Sequence, residues 1–167
     1  IAVCAPEGRG APTPDRDWPG FRGIAAAGLS AREVPMSWDV PSSRGVAWKT
    51  PIPGLGHSSP IVWGDQVCVA TATSEGGDES LKVGLYGNIT PVQDATVKVW
   101  KAICLDKRSG KVRWERELHR GVPAIKRHTK ASHANSTLAT DGERLIACFG
   151  SDGLYAYDLK GKLLWQK

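Results

Sequence analysis

The chain has 167 residues, of which 41% are hydrophobic and 23% charged, proportions that are ordinary for a globular protein. Its formal net charge of +5 supports only weak attraction to anionic surfaces, and no run reaches the roughly 18 apolar residues of a transmembrane helix. One feature is unusual: seven tryptophans stand against two phenylalanines, which suggests a structural position that tryptophan occupies repeatedly.

Residues 1–17 are predicted to be a disordered lead-in or the remnant of an export signal. Residues 5–17 are rich in proline and glycine and have no apolar period. The first residues, from Ile1 to Ala5, resemble the end of a secretory hydrophobic region, and less closely a lipoprotein cleavage site before Cys4. An arbitrary disordered start is the alternative. We favour the export signal and therefore expect a bacterial periplasmic or secreted protein.

From Trp18 onward the sequence predicts short β-strands rather than helices. No window of a dozen residues has apolar positions at helical spacing, whereas runs of four to seven residues alternate or are rich in β-branched side chains. The predicted strands are Val46 to Thr50, Ser59 to Trp63, Gln66 to Thr71, Val97 to Leu105, Val112 to Glu117, Ser136 to Ala139, Arg144 to Phe149, Leu154 to Asp158 and Leu163 to Gln166. Turn residues separate them, which favours an all-β repeat or a sandwich.

Two parts of the chain repeat the same order of strands and turns. A hairpin at 59–70 aligns with one at 136–148, and the strand–turn–strand pattern at 104–114 aligns with that at 156–165. Each unit therefore has four antiparallel strands, which is the blade of a β-propeller.

The predicted domain is the N-terminal portion of an all-β propeller at 18–167, with about two blades present. We expect an orphan strand around 46–50, one blade around 57–117 and a second around 133–167. An insertion from about Ser74 to Thr96 lengthens the first blade.

Each unit closes with an aspartate, a glycine turn and a tryptophan. Asp106 can accept N–H groups of its own turn, Gly110 can adopt the positive φ that a tight hairpin needs, and Trp114 ends the outer strand. Such an indole can cover the neighbouring blade while its N–H finds a backbone acceptor. The same structural docking role, which is not catalytic, is predicted for Asp158, Gly161 and Trp165 in the second unit and for Trp48 before the first.

This pattern resembles the tryptophan-docking motif of β-propeller repeats of the pyrroloquinoline-quinone (PQQ) type. Such repeats occur in quinoprotein alcohol dehydrogenases and in a bacterial group of PQQ-binding-like repeat proteins. The resemblance extends over 18–167 and includes the segments 18–23, 56–65 and 132–137. It implies a quinoprotein-like propeller of about seven or eight blades when complete. It is a poor guide to activity, because one fold supports many functions.

A quinoprotein dehydrogenase is the alternative that the resemblance raises. In that class PQQ lies on the propeller axis with a calcium ion, a stacking tryptophan and usually a disulfide between adjacent cysteines. The sequence has no adjacent cysteine pair, and no set of Glu, Asn and Asp residues matches a calcium site. We therefore predict no cofactor, and PQQ with calcium belongs only to the alternative.

The four cysteines give no support for zinc or thioredoxin-like chemistry, because none forms a C-x-x-C pair. Cys68, Cys104 and Cys148 lie in apolar strand patterns, where a free cysteine acts as a small hydrophobic residue. Cys68 and Cys148 occupy near-equivalent repeat positions, which favours a packing role. Their redox state is left open.

A ligand site is predicted in the polar connection at 120–135. His57 precedes the equivalent strand of the earlier unit, so His57, His128 and His133 are candidates to gather near the axis, where imidazoles could bind a metal or an anion. His133 and Asn135 are the strongest candidates. The alternative, which we favour, is that these side chains hydrogen-bond loop backbone.

The dense basic stretch Lys126, Arg127, His128 and Lys130 lies in the same connection. It has no interleaved aromatic residues of the kind that stack on bases, so we interpret it as a solvated loop and predict no nucleic-acid partner.

The expected function is that of a non-catalytic, exported scaffold whose loops bind a protein partner or a small ligand. No Ser–His–Asp spacing, paired carboxylates, phosphate loop or dinucleotide fingerprint stands out. The alternative is a PQQ-dependent dehydrogenase or another redox enzyme that uses the propeller axis.

We also predict that residues 18–167, expressed alone, self-associate. About two blades leave an unpaired sheet edge and apolar faces between blades, both of which promote association. Analytical ultracentrifugation is expected to show oligomers or aggregates. A monodisperse monomer that melts cooperatively would contradict this prediction.

Overall fold

The computed structural model describes residues 11–76, 81, 91, 92 and 95–167, which contain two four-stranded antiparallel sheets. The all-β class is therefore confirmed. The first sheet comprises β1 (Ile61–Trp63), β2 (Gln66–Ser74), β3 (Lys98–Asp106) and β4 (Val112–Gly121). The second comprises β5 (Ala139–Thr140), β6 (Arg144–Cys148), β7 (Leu154–Asp158) and β8 (Leu163–Gln166). Strands are neighbours in chain order in both sheets, and the helical elements among the described residues are two 3-10 turns, Ile24–Ala26 and Gly150–Asp152.

The central strands β3 and β7 are buried along most of their length, β6 alternates, and β8 is exposed. In the first sheet, Cys68 pairs with Cys104 and Ala72 pairs with Trp100. In the second, Leu145 pairs with Tyr157, and Ala147 pairs with Tyr155. These faces belong to one hydrophobic core, in which Trp100 and Cys104 are fully buried. Both sheets therefore contribute side chains to a shared core.

Tryptophan side chains join successive parts of the chain. The Trp48 indole N–H donates to Lys107 O at 2.9 Å, and the Trp114 indole N–H donates to Leu159 O at 3.0 Å. Each acceptor is the residue directly after the aspartate of a hairpin turn, which is Asp106 in the first sheet. The two contacts are equivalent, so the repeat found in the sequence is also a repeat of contacts.

The turn that receives each indole contains a glycine in the left-handed region. Gly110 has φ of +69°, and a Cβ placed there would lie 2.5 Å from Cε3 of Trp48. Gly161 has φ of +79°, and its Cβ would lie 2.9 Å from Cδ2 of Trp114. Glycine is required at both positions because the ring lies where a side chain would start.

The aspartate of each turn holds the acceptor carbonyl in place. Asp106 Oδ1 accepts from Arg108 N at 3.1 Å and Ser109 N at 2.9 Å. Asp158 Oδ1 accepts from the N–H groups of residues 160 and 162. Hydrogen bonds from Arg113 and Ser109 hold the pKa of Asp106 well below its usual range. The aspartates thus act as backbone acceptors, as the sequence predicts.

Trp165, the third tryptophan of the set, lies at the end of β8. Its side chain is 40% exposed, and within the described part of the chain its indole N–H has no hydrogen-bond partner. Leu163 and Leu164 in the same strand are also exposed. The second sheet therefore presents an uncovered apolar outer strand.

Two expectations about the early part of the chain need correction. Residues 46–50 form no strand, because no other described strand pairs with them, although Trp48 within them docks. The lead-in was extended too far, since Asp17 is 3% exposed and accepts from Gly64 N at 2.8 Å. Burial raises the pKa of Asp17, but hydrogen bonds from Thr13 and Gly64 and the charge of Arg16 outweigh it, so that pKa is lowered.

Two expectations about later segments are settled only in part. The strand predicted at Ser136 to Ala139 starts later and is short, because its first residues continue the loop described below. Of the insertion predicted from Ser74 to Thr96, residues 77–80, 82–90, 93 and 94 lie outside the described residues, as do residues 1–10 of the lead-in. Within the described residues no helix is long and apolar enough to cross a membrane.

Cys68 and Cys104 form a disulfide across β2 and β3. They lie directly opposite each other in the sheet, with their Cα atoms 4.1 Å apart. Their packing role is therefore combined with a covalent one, which the sequence left open. The packing role expected of Cys148 is wrong, because the residue is exposed at the end of β6.

We predict that Gly110→Ala destabilises the protein more than Gly64→Ala does. Both glycines have positive φ, so alanine costs about 1–2 kcal/mol at either position. A Cβ at Gly64 meets nothing within 4 Å, whereas at Gly110 it displaces the Trp48 ring and costs about 1–3 kcal/mol more. Urea unfolding of the two variants measures the difference. Equal losses of unfolding free energy would show that the indole does not depend on this turn.

We predict that reduction of the Cys68–Cys104 bond lowers the free energy of unfolding. The bond spans a sequence separation of 36, for which loop-closure entropy gives about 3–4 kcal/mol. Chemical unfolding with and without reductant measures the change, and non-reducing peptide mapping should find the two cysteine peptides joined. Cys148→Ser is the control and should leave both curves unchanged. Free thiols at both positions in the oxidised protein would contradict the pairing.

Candidate functional site

A cavity of about 280 Å³ lies beside the long connection between β4 and β5. One wall is formed by parts of 125–136 of this connection, and the other by 149–152, which includes the 3-10 turn after β6. Three of the four side chains proposed as a ligand site line the cavity: His128, His133 and Asn135. The other polar or charged lining residues are Lys126, Arg127, Ser132, Ser136, Ser151 and Asp152.

Asn135 is held in one orientation by the loop on which it lies. Its Oδ1 accepts from Ser132 N at 2.9 Å and from Ser132 Oγ at 3.1 Å. Because a backbone N–H can only donate, the amide atom that faces Ser132 N must be the oxygen. The Nδ2 amide group is therefore the free end of the side chain, and it has no hydrogen-bond partner among the described residues.

His57 contacts this loop from outside the cavity. Its Nδ1 lies 3.2 Å from Asn135 Oδ1, and its backbone N–H donates to Ala134 O at 3.0 Å. Since Oδ1 is an acceptor, Nδ1 of His57 carries the proton. His57 does not line the cavity, and its imidazole contacts the Asn135 side chain rather than loop backbone, so it matches neither the ligand site nor the alternative interpretation.

The imidazole of His128 is also oriented by backbone. Lys130 N donates to His128 Nδ1 at 3.1 Å, which makes Nδ1 the unprotonated nitrogen and Nε2 the one that carries hydrogen. Within the part of the chain that is described, Nε2 has no hydrogen-bond partner. His128 is exposed and lines the cavity, so its N–H is available to a ligand.

Behind the cavity lies a group of rings around Trp100, which is fully buried. The Trp100 indole N–H donates to His133 O at 2.9 Å, and the two rings lie 6.0 Å apart. On the other side, the rings of Trp100 and His119 are 5.0 Å apart, and Phe149 of the cavity wall is 6.3 Å from Trp100. The loop that carries His133 is thus anchored to the core by a tryptophan.

His119 was not identified from the sequence as part of this region. It lies opposite Trp100 in the pairing of β3 with β4. That relation depends on strand register and on two irregularities in the pairing, which no local motif reveals.

Asp152 is the second residue that the sequence did not indicate. It is 7% exposed, and its Oδ1 accepts from Ala124 N at 3.0 Å, so it ties the connection to the 3-10 turn. Tyr155 Oη donates to Asp152 O at 2.9 Å. Burial, with the charge of Asp152 and the neighbouring Tyr157, raises the pKa of Tyr155. The carboxylate lies between the cavity and a wider groove of about 550 Å³ that Tyr155 also lines.

The basic stretch is only partly solvated, which corrects the expectation for one residue. Arg127 is 5% exposed, and its guanidinium donates to Ala131 O at 3.1 Å. Lys126, His128 and Lys130 are exposed, as a solvated loop requires. Burial thus separates Arg127 from the exposed residues of the same stretch.

The cavity has both polar and apolar lining residues, among the latter Ile125 and Phe149. Across the described residues, no group of three or more His, Cys, Asp or Glu side chains has the geometry to hold a metal ion. Among the described residues, the lining includes donor groups of Asn135 and His128, the charged side chains of Lys126 and Arg127, and the carboxylate of Asp152. Such a set can orient a small polar ligand without a covalent step.

Comparison with known proteins adds no relative. Neither a scan against models of protein families nor a search of curated proteins found a match to this chain. The resemblance to PQQ-type repeats therefore stays a hypothesis that rests on the residues of this chain.

Proposed function

We propose that this chain is part of an exported, non-catalytic β-propeller that binds a small polar ligand in the cavity beside the β4–β5 connection. The observation that carries the proposal is the arrangement of Asn135 and His128. Each has one side-chain atom fixed by a backbone N–H and a second polar atom without a partner among the described residues, on a residue that lines the cavity. Oriented groups without partners at a cavity are typical of a binding site.

The propeller part of the proposal is supported by the repeated unit. Both sheets are four-stranded meanders, and the turn between the last two strands of each one receives a tryptophan from the preceding segment. In a propeller, each four-stranded blade contacts its neighbours in the same way around the ring. The tryptophan contacts are of this repeating kind.

The export part of the proposal is supported by the Cys68–Cys104 disulfide. Disulfides persist in the periplasm and outside the cell and are rare in a reducing cytosol. The small residues at the start of the sequence agree with an export signal.

The test is a ligand-observed NMR screen of small polar metabolites against the 167-residue chain. We expect binders that compete with one another and that no longer bind to Ser136→Trp, because the indole fills the cavity from an exposed lining position. Ser30→Trp places the same side chain on an exposed residue outside the cavity and should leave binding unchanged.

A parallel experiment adds PQQ and calcium and records absorbance and dye-linked oxidation of alcohols and sugars. We expect neither stoichiometric binding nor turnover. Stoichiometric PQQ binding with substrate oxidation would overturn the scaffold proposal, and binders that ignore Ser136→Trp would overturn the location of the site.

A further inference from the structure

We infer that residues 13–19 are an exchangeable strand, which in a dimer leaves its own copy and takes the same position on a second copy of this chain. This inference goes beyond the proposed function, because it concerns a different part of the chain and requires no ligand. Three features of the molecule carry it. The segment is docked by contacts with distant parts of the chain, the turn after it is strained, and the stretch beyond that turn is exposed.

The segment joins the first strands of the two sheets. Trp18 N donates to Val62 O at 2.7 Å and Val62 N donates to Trp18 O at 2.9 Å, so Trp18 pairs antiparallel with β1. On the other side, Thr140 N of β5 donates to Pro19 O at 2.8 Å. A strand edge binds an extended segment through backbone groups, whichever chain supplies it. A segment from either copy therefore meets the same partners at β1 and β5.

Asp17 anchors the segment. Its carboxylate is buried and accepts from Gly64 N at 2.8 Å and from Thr13 N at 2.7 Å. Lys107 Nζ donates to Arg16 O at 3.0 Å. Gly64 and Lys107 lie in two turns of the first sheet, whereas Thr13 belongs to the segment itself. These contacts form equally well with a second copy, so exchange loses none of them.

The turn after the segment is strained. Arg22, Ala25 and Ala26 have φ of +60°, +52° and +53°, in the left-handed region that is unfavourable for residues with a Cβ. Among the other described residues, Ser43 is the one non-glycine position with positive φ. Local hydrogen bonds close the turn, such as that from Ala26 N to Gly23 O at 3.2 Å. Extension of the turn releases the strain, and an exchanged segment requires this extension.

The stretch beyond the turn leaves the chain free to extend. Residues 25–38 are exposed, and across the described ranges no hydrogen bond joins 24–38 to either sheet. An exposed ion pair of Arg32 with Asp15, at 3.7 Å, links this stretch to the exchanging segment itself. The chain is docked again at Trp48. Residues 20–47, when extended, span roughly 90 Å, which is ample for reaching a neighbouring copy.

The strain offsets the advantage of docking within one copy. A flexible linker gives a tethered segment an effective concentration of about a millimolar or less. Each of the three strained residues disfavours the closed turn about fivefold or more, and together they do so about a hundredfold. We therefore expect exchanged dimers at chain concentrations of about 10 μM and above.

The experiment traps the exchanged segment with a disulfide. The 167-residue chain carries Cys4→Ser and Cys148→Ser, and one preparation adds Trp18→Cys while a second adds Val62→Cys. These two positions face each other in the antiparallel bridge, at a spacing that a disulfide spans. Mixed and oxidised, the preparations are expected to give a disulfide-linked heterodimer, with the bond located by peptide mapping. A chain with both substitutions is the control and should form the bond within one copy when dilute.

Variants of the turn test the hinge by sedimentation velocity. Ala25→Gly relieves the strain and is expected to weaken dimerisation about fivefold or more. Ala25→Pro excludes a positive φ, so it opens the turn and should strengthen dimerisation. Ala31 is exposed and lies outside the positive-φ set, so Ala31→Gly and Ala31→Pro are matched controls that should change little. Circular dichroism establishes that each variant is folded.

Each outcome supports or overturns a separate step. A chain that stays monomeric at about 100 μM, tenfold above the expected threshold, would overturn the inference. Dimers in which positions 18 and 62 do not link would place the contact on another surface. Dimerisation that neither change at Ala25 alters would show that the turn is not the hinge. A double variant without its internal bond would overturn the docked position of the segment. The ligand screen is independent of all four results.

Discussion

The contact on which the rest of the structure depends is that of an indole with the glycine turn of the next unit. The contact has three requirements that must be met together. The turn needs a glycine against which the flat indole ring can lie, a backbone carbonyl that accepts the indole N–H, and an aspartate that holds the turn. Trp114 is 9% exposed, and a buried tryptophan removes about 150–250 Å² from water, equivalent to about 4–6 kcal/mol as an upper estimate. Because the contact lies between units, each sheet gains stability from its neighbour.

The candidate site depends on a second tryptophan contact of the same chemical kind. Trp100 lies in the shared core, and its indole N–H binds the carbonyl of His133 in the cavity loop. The loop is also held by Asn135 and by the backbone of His57. Backbone donors and one buried ring thus fix the position of a polar connection that has little regular structure. This explains why the most irregular part of the second half carries the site.

The sequence predicted local features well and tertiary relations poorly. The bounds of β7 and β8 agree with the prediction, because apolar alternation and the Asp158 turn both mark them. The strand predicted to end at Glu117 extends to Gly121. Its last residues have no strand pattern in the sequence, but they pair with β3. The disulfide, His119 and Asp152 could not be predicted, because each depends on register or on contact between distant segments. Of the candidate site, the loop was predicted and its acidic wall was not.

The division between engaged and unengaged atoms links the repeat architecture to recognition. A flexible loop with Asn135 and His128 would lose part of its binding energy in ordering their side chains. Here backbone N–H groups of Ser132 and Lys130 have already fixed which atom of each side chain accepts, so the remaining atom of each is a donor in a set direction. These backbone groups are held in turn by a core that the stacked units create. The acceptor atoms of Asn135 and His128 are therefore occupied by backbone of their own loop, while Trp100 anchors that loop to the core through the carbonyl of His133.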